Sequence, residues 1–304
     1  VGIETNVASF LCMAAKRGVK FGHTCTLGHQ GLLMSPPDLL EVLSHYGLAP
    51  TAERFEELFP TARGEHFADN LFTLLGASKV TTMDASAYEG AALVHDLNTP
   101  IPDSVRGQFD VVFDGGTIEH VFNFPTAIRN AMEMVKVGGC FISQTAANNF
   151  CGHGLYQFSP ELWFRVFSPD NGYRMDRLML CEWDSRRWHD VRDPARIGRR
   201  VELVNNQHTA MFVLATRERE VEMFARTPQQ SDYVVAWNNA DTDTNGAKID
   251  GPLKGQLRSI LGPQRVAKIS VVLNEWRRKR NHAAAQRERQ FENREAYGET
   301  LRYP

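Results

Sequence analysis

Three short strand-like runs, Lys79 to Asp84 (KVTTMD), Gln108 to Asp114 (QFDVVFD) and Cys140 to Thr145 (CFISQT), constrain this chain more than any other feature. Nearly continuous apolar and β-branched runs of this length are strands covered on both faces. A helical pattern over Pro125 to Val137, stopped by Gly138-Gly139, separates the last two. Strands alternating with helices imply an α/β fold with a parallel sheet between helical layers. Thr24 to Leu27 adds an earlier strand, and Ala91 to Asp96 (AALVHD) repeats the KVTTMD format. Arg177 to Trp183 and Thr209 to Thr216 read as two final strands that finish the sheet as an antiparallel, hairpin-like addition.

The helices follow the usual start and stop residues. Asn6 to Gly18 has an Asn cap and a Gly stop. Ser35-Pro36-Pro37-Asp38 opens a helix through Tyr46, closed by Gly47. Ala52 to Phe59, His66 to Gly76 and Glu161 to Phe167 are the other expected helices. Residues 184–204 are dense in Arg and Trp, and 228–252 are poor in apolar periodicity, which reads as a loop. From Leu253 onward twelve basic residues stand against five acidic ones in a chain of net charge −2, so a basic tail follows an acidic body. Such a tail suits docking across a homo-oligomer, and no nucleic-acid partner is expected from its Trp276-Arg277-Arg278-Lys279-Arg280 run alone.

Five cysteines without a C-x-x-C pair argue against a disulfide framework or a structural zinc site and favour a reducing, cytoplasmic setting. The apolar stretch Val7 to Ala15 is far shorter than the ~20 residues of a bilayer span, and its charges follow rather than precede it, so neither a membrane segment nor a secretory signal is expected.

In an open α/β sheet, ligands sit beyond the carboxyl ends of the strands. Polar residues there are the Gly28-His29-Gln30-Gly31 turn, Asp84, Asp96, and Asp114-Gly115-Gly116 running into Glu119-His120. A carboxylate at the end of a second strand suits a ribose diol. Each Asp is also a good helix cap or turn former, and Glu119 and His120 suit a cap and a structural imidazole equally well. Asp114, Glu119 and His120 have no recognised metal-ligand spacing, so no metal is expected.

With these residues in view, the chain resembles the class I S-adenosylmethionine-dependent methyltransferases, over roughly residues 21–217 and best between Lys79 and Phe167. The resemblance implies a Rossmann-like α/β fold with a mostly parallel seven-stranded sheet and helices on both faces. An N-terminal helix (1–20) would precede it, and a linker (218–252) and a basic helical C-terminal extension (253–304) would follow. It implies S-adenosylmethionine as cofactor, held by Gly28, His29 and Gln30, by Asp84-Ala85 at the ribose, by Asp96-Leu97 near the adenine, and by Asp114-Gly115 near the methionine moiety. One departure is that the first loop reads Leu27-Gly28-His29-Gln30-Gly31, with two glycines where the family has a G-x-G-x-G loop. Asp84 also follows Gly28 at well over twice the ~20-residue spacing of the dinucleotide fingerprint, which an insertion around residues 48–68 explains.

The resemblance further implies methyl transfer to a small-molecule acceptor, at oxygen in the preferred reading. Catalysis would come largely from positioning, with a His of near-neutral pKa available as general base. His153, flanked by Gly152 and Gly154, is the first candidate and His120 the second, with Tyr156, Gln157 and Glu119 on the acceptor side. The competing reading is a degenerate fold of the same kind that binds or scaffolds without catalysis, which His29-Gln30 in the first loop would suit. A nicotinamide or nucleotide-sugar enzyme is disfavoured by the missing G-x-G-x-x-G and Tyr-x-x-x-Lys patterns.

Overall fold

The computed structural model describes residues 2–56, 67–183, 187–198, 200–243 and 301–302. The helical and strand elements, in chain order, begin with β1 (Gly2–Ile3), α1 (Thr5–Lys16), β2 (Gly22–Leu27), β3 (Gly31–Leu32), α2 (Pro36–His45), α3 (Ala52–Glu56) and α4 (Asp69–Leu74). They continue through β4 (Ala77–Asp84), β5 (Leu93–Val94), β6 (Phe109–Asp114), α5 (Phe124–Met134), β7 (Val135–Asn148) and α6 (Pro160–Val166). The last are β8 (Tyr173–Glu182), β9 (Arg187–Asp190), α7 (Pro194–Ile197), β10 (Thr209–Arg217), α8 (Ser231–Asp243) and β11 (Leu301–Arg302).

One sheet runs β11-β9-β8-β10-β7-β6-β2-β4-β5. The strands β5, β4, β2, β6 and β7 are parallel, and β10 lies antiparallel between β7 and β8. The final two sequence-predicted strands therefore do not simply extend the sheet, because the last one is inserted inside it. Two strands beyond the expected seven, β9 and β11, lengthen the β8 edge by antiparallel pairing. The Arg- and Trp-rich stretch contributes β9, whose Trp188 is fully buried on Phe10 and Phe212.

Both faces of the sheet are buried, and strand alternation assigns neighbouring residues to opposite layers. Val112, Phe141, Met211 and Val213 pack with Ala127, Ile128, Trp163 and Phe167 of the α5–α6 side. Val111, Phe113, Ile142 and Phe212 pack with Phe10, Leu11, Leu39, Leu71 and Phe72 from α1, α2 and α4. Burial of each such side chain contributes ~1.5–3 kcal/mol, which is why these strands tolerate so few polar residues. The helix α1 starts one residue before the expected Asn6 cap and has no side-chain cap. Its stability comes from burial of Asn6 to Ala14 against the sheet. In α2 the expected cap is present, with Ser35 accepting from the Asp38 N–H.

Several boundaries differ from the sequence expectation. The helix α5 ends at Met134, before Gly138-Gly139, because Val135 already pairs with Phe109 in the sheet. The register then jumps, and a Cβ on Gly139 would lie 2.6 Å from the Asp110 carbonyl oxygen, so the two backbones touch where only glycine fits. The expected helix from His66 shrinks to α4, with Phe67 bridging to Gly31 instead. The expected strand 91–96 is only Leu93–Val94. The stretch read as a loop, 228–252, contains helix α8. Within the expected insertion 48–68, the helix is seen as α3, and 57–66 lie outside the described residues. The basic extension 253–304 lies outside them too, apart from β11. No helix among the described residues is long and apolar enough to cross a membrane.

Candidate active site

The parallel strands β2, β4, β6 and β7 end on the same edge of the sheet, and the polar groups converge there. After β2, Gly28 takes a left-handed turn (φ +75°) and its N–H bonds to the Met83 carbonyl at 2.8 Å, locking the loop onto the end of β4. Gln30 is buried, and its Nε2 donates to the Leu27 carbonyl at 2.7 Å, as does the Thr117 hydroxyl at 2.7 Å. Among the described residues its Oε1 has no hydrogen-bond partner. Gln30 lies against Gly115, where an added Cβ would fall 2.2 Å from that oxygen. Gly28, Gln30 and Gly115 are thus brought together.

His29 takes a different course. Its ring stacks on Phe67 at 3.4 Å, with Nδ1 2.7 Å from the Glu89 carbonyl oxygen and Nε2 2.9 Å from the Asp69 carboxylate. It therefore ties the first loop to the loop after β4 and to the start of α4. Asp84 ends β4 half-buried, with Oδ1 accepting from the Ser86 N–H, and Ala85 beside it is exposed. Asp96 is exposed and turns its Oδ1 onto the Asn98 backbone and side chain, the turn-forming role that Asp commonly takes. Leu97 is buried in the core beneath.

Asp114 is fully buried at the end of β6. The N–H groups of Thr117 and Ile118 donate to Oδ1, and the Ser143 hydroxyl donates to Oδ2 at 2.8 Å. Burial pushes its carboxyl above the usual carboxylate range, and these donors only partly offset it. Gly116 (φ +93°) and a short turn over Ile118–His120 then aim Glu119 into a cleft of about 280 Å³, whose lining includes Gly115, Gly116, His120, Gln144, Phe150 and His153. Glu119 is 1% exposed and accepts from the Thr145 hydroxyl at 3.1 Å. Burial, and then the charge of Asp114, push its carboxyl upward as well. His153 Nε2 lies 3.5 Å from Glu119 Oε1, and the His120 and His153 rings meet edge to face at 4.9 Å. Burial, followed by the charge of His153, lowers the pKa of His120.

The loop carrying His153 is held from behind. Asn149 has φ +62°, and its Nδ2 donates to the carbonyls of Asn205 and Gln207 and to Asn205 Oδ1. Gln157 accepts from the Phe150 N–H at 2.8 Å, and the Tyr156 hydroxyl donates to the Phe122 carbonyl at 2.7 Å. Two of the three expected acceptor-side residues thus bond to backbone and do not line the cleft, whereas the third, Glu119, does. Glu4, Leu33, Gln144, Trp183 and His208 do line it and were not legible as site residues. Only Gln144 carried a signal, as a polar residue at the end of an otherwise buried strand. The others arrive from sequence-remote elements.

A five-stranded parallel core in the order β5-β4-β2-β6-β7, completed by an antiparallel β10 inserted before β8, is a Rossmann-like α/β sheet of the kind that the resemblance implies. No family model and no curated protein matches the chain. Solved structures similar to it include a branched-chain polyamine synthase from Thermus thermophilus in complex with N4-aminopropylspermidine and 5′-methylthioadenosine (15% identity, 74% of this chain, 59% of that one, TM-score 0.38). TehB from Haemophilus influenzae is similar at 14% identity (68% of this chain, 61% of that one, TM-score 0.37). The trans-methyltransferase CalH, in complex with SAH, is similar at 11% identity (69% and 55%, TM-score 0.35). The fold assignment rests on strand order and direction rather than on these alignments.

Two groups at the strand ends have the chemistry that an adenosyl sulfonium would use. Asp84 offers a carboxylate at the second-strand position and Gly28 brings Cβ-free backbone to the end of β2, whereas the buried Gln30 side chain fills the space beside Gly115. Asp96 is exposed and its Oδ1 accepts from the Asn98 N–H in the same kind of turn that Asp84 Oδ1 forms with the Ser86 N–H.

Proposed function

We propose that the protein is an S-adenosylmethionine-dependent methyltransferase acting on a small-molecule acceptor at oxygen. The observation that supports this reading is that Asp84 ends β4 and Gly115 follows β6 on one carboxyl edge of the sheet, and that Gly115 also lines the cleft that holds Glu119, His120 and His153. When bound, S-adenosylmethionine supplies a methyl group on a sulfonium, a leaving group that needs no acid. Asp84 would accept hydrogen bonds from a ribose diol, and Gly116, in the cleft lining, leaves the backbone there without a Cβ. The cleft orients the acceptor, and alignment of this kind supplies much of the rate in a displacement. The His153 imidazole takes the acceptor hydroxyl proton, with Glu119 orienting the ring and His120 as the second imidazole in reach.

A second reading, a fold of this class that has given up catalysis, is favoured by the His29 bridge to Glu89 and Asp69, which straps the first loop down. Calorimetric titration with S-adenosylmethionine and S-adenosylhomocysteine separates the two. Micromolar binding that is lost in Asp84→Ala is the expected result. Absence of binding at millimolar ligand would sink the methyltransferase reading and favour the non-catalytic one.

A further inference from the structure

We propose that Glu119, His120 and His153 form a site for a divalent transition-metal ion, of the two-His, one-carboxylate type, at the mouth of the cleft. Each offers one ligand atom, and all three atoms lie within 4.8 Å of one another. The sequence pattern of Asp114, Glu119 and His120 did not suggest a metal. The fold removes Asp114 from the set, burying it behind Glu119 with its own donors, and brings in His153 from the loop after β7.

Three features favour a cation here. Glu119 and Asp114 are both buried carboxylates, and among the described residues no Lys or Arg pairs with either. Unpaired buried negative charge is costly unless a cation or a proton meets it. The donor set itself, two imidazoles and one carboxylate, is the one used by open catalytic zinc sites and by facial iron sites, which leave positions for water or substrate. Lastly, Glu119 is anchored by Thr145, whereas the side chain of His153 is 48% exposed and His120 is exposed. Tetrahedral zinc at ~2.0–2.2 Å from each atom needs donor separations of ~3.4 Å. His153 Nε2 already lies 3.5 Å from Glu119 Oε1, and separations of up to 4.8 Å among the three atoms close by at most about 1.4 Å, a movement within rotamer freedom.

Gly116, which lacks a Cβ, keeps the space between Glu119 and Gln144 open, since a Cβ there would sit 3.3 Å from Glu119 Oε1 and 3.8 Å from Gln144 Oε1. Water or an acceptor oxygen could occupy this space beside the three donors. With an ion bound, the imidazoles would serve as ligands rather than as bases, and the ion would lower the pKa of an acceptor hydroxyl bound to it, whose proton would pass to solvent. That role rests on the methyltransferase reading, whereas binding of the ion does not.

The test is calorimetric titration of chelator-treated protein with Zn²⁺, and with Co²⁺ followed by its visible absorption, in the absence of any adenosyl ligand. A Cys151→Ser background removes the exposed thiol nearby as a source of binding. The expected result is one ion per chain, with affinity falling at least ~100-fold in His153→Ala and in His120→Ala, because even groups that only orient a ligand are worth ~10–100-fold. His95→Ala, a surface imidazole outside the cluster, should leave the affinity unchanged. Equal affinity in all variants, or no binding to the parent at millimolar Zn²⁺, overturns the proposal and leaves a proton as what neutralises Glu119. Failure of adenosyl binding with intact, histidine-dependent Zn²⁺ binding would overturn the methyltransferase reading alone.

Discussion

Replacing Gly115 by alanine tests whether the ends of β2 and β6 meet as closely as the structure has them. The backbone there is outside the left-handed region, so alanine brings no conformational strain and the effect is purely steric. The new methyl would lie 2.2 Å from Gln30 Oε1, 2.8 Å from Gln30 Cδ and 2.9 Å from Phe113 Cε1. Ordinary contact needs about an ångström more, yet both neighbours are 1% exposed and Gln30 is tied to the Leu27 carbonyl. Overpacking of a dense core costs ~1–3 kcal/mol, and losing the Gln30 hydrogen bond adds ~1 kcal/mol. The expected total is ~2–4 kcal/mol, which at a urea slope of ~2 kcal/mol/M lowers the unfolding midpoint by ~1–2 M. Gln30→Ala removes the side chain that the new methyl would strike. In the double variant the two losses should fall short of additivity by at least ~1 kcal/mol. A Gly115→Ala midpoint within ~0.3 M of the parent, or strict additivity in the cycle, would refute the contact.

Two further outcomes follow from the same geometry. Asn149→Ala should cost more stability than Asn149→Gly, by ~1 kcal/mol, because both lose the three Nδ2 bonds but only alanine is strained at φ +62°; thermal melts of the pair read this directly. At Asp110, burial pulls the carboxyl upward, but the His23 N–H (2.7 Å) and the Lys136 ammonium (3.1 Å) outweigh it and hold the pKa below 3.8. A depressed carboxylate contributes stability that is present above its unfolded value and lost as pH falls through its folded one. Lys136→Met should therefore move the acid-unfolding midpoint to higher pH and leave the stability at pH 7 changed by less than ~1 kcal/mol, as is usual for a partly exposed pair. An unchanged acid midpoint would show that Lys136 does not hold Asp110.

Local chemistry alone made much of the fold legible. The runs KVTTMD and QFDVVFD read as strands because β-branched and apolar residues dominate them, and they are β4 and β6 with Asp84 and Asp114 at their ends. The Ser35 cap and the helix after Pro36-Pro37 were equally local. What lay beyond reach was non-local pairing. Val135 reads as helical until Phe109 is seen beside it, and Trp188 lies in an apparent loop until Phe10 and Phe212 cover it.

The site divides along the same line. Sequence marked the carboxylates and glycines because strand ends face one edge of a parallel sheet whatever the side chains do later. It also marked Glu119, His120 and His153 one by one, but could not tell which would touch. Only the tertiary structure turned Asp96 outward, spent Tyr156 and Gln157 on backbone, strapped His29 to Glu89 and closed His153 onto Glu119. Each of those outcomes depends on loops from different strands meeting in space, and packing between elements, rather than any residue's own preference, sets where such loops meet.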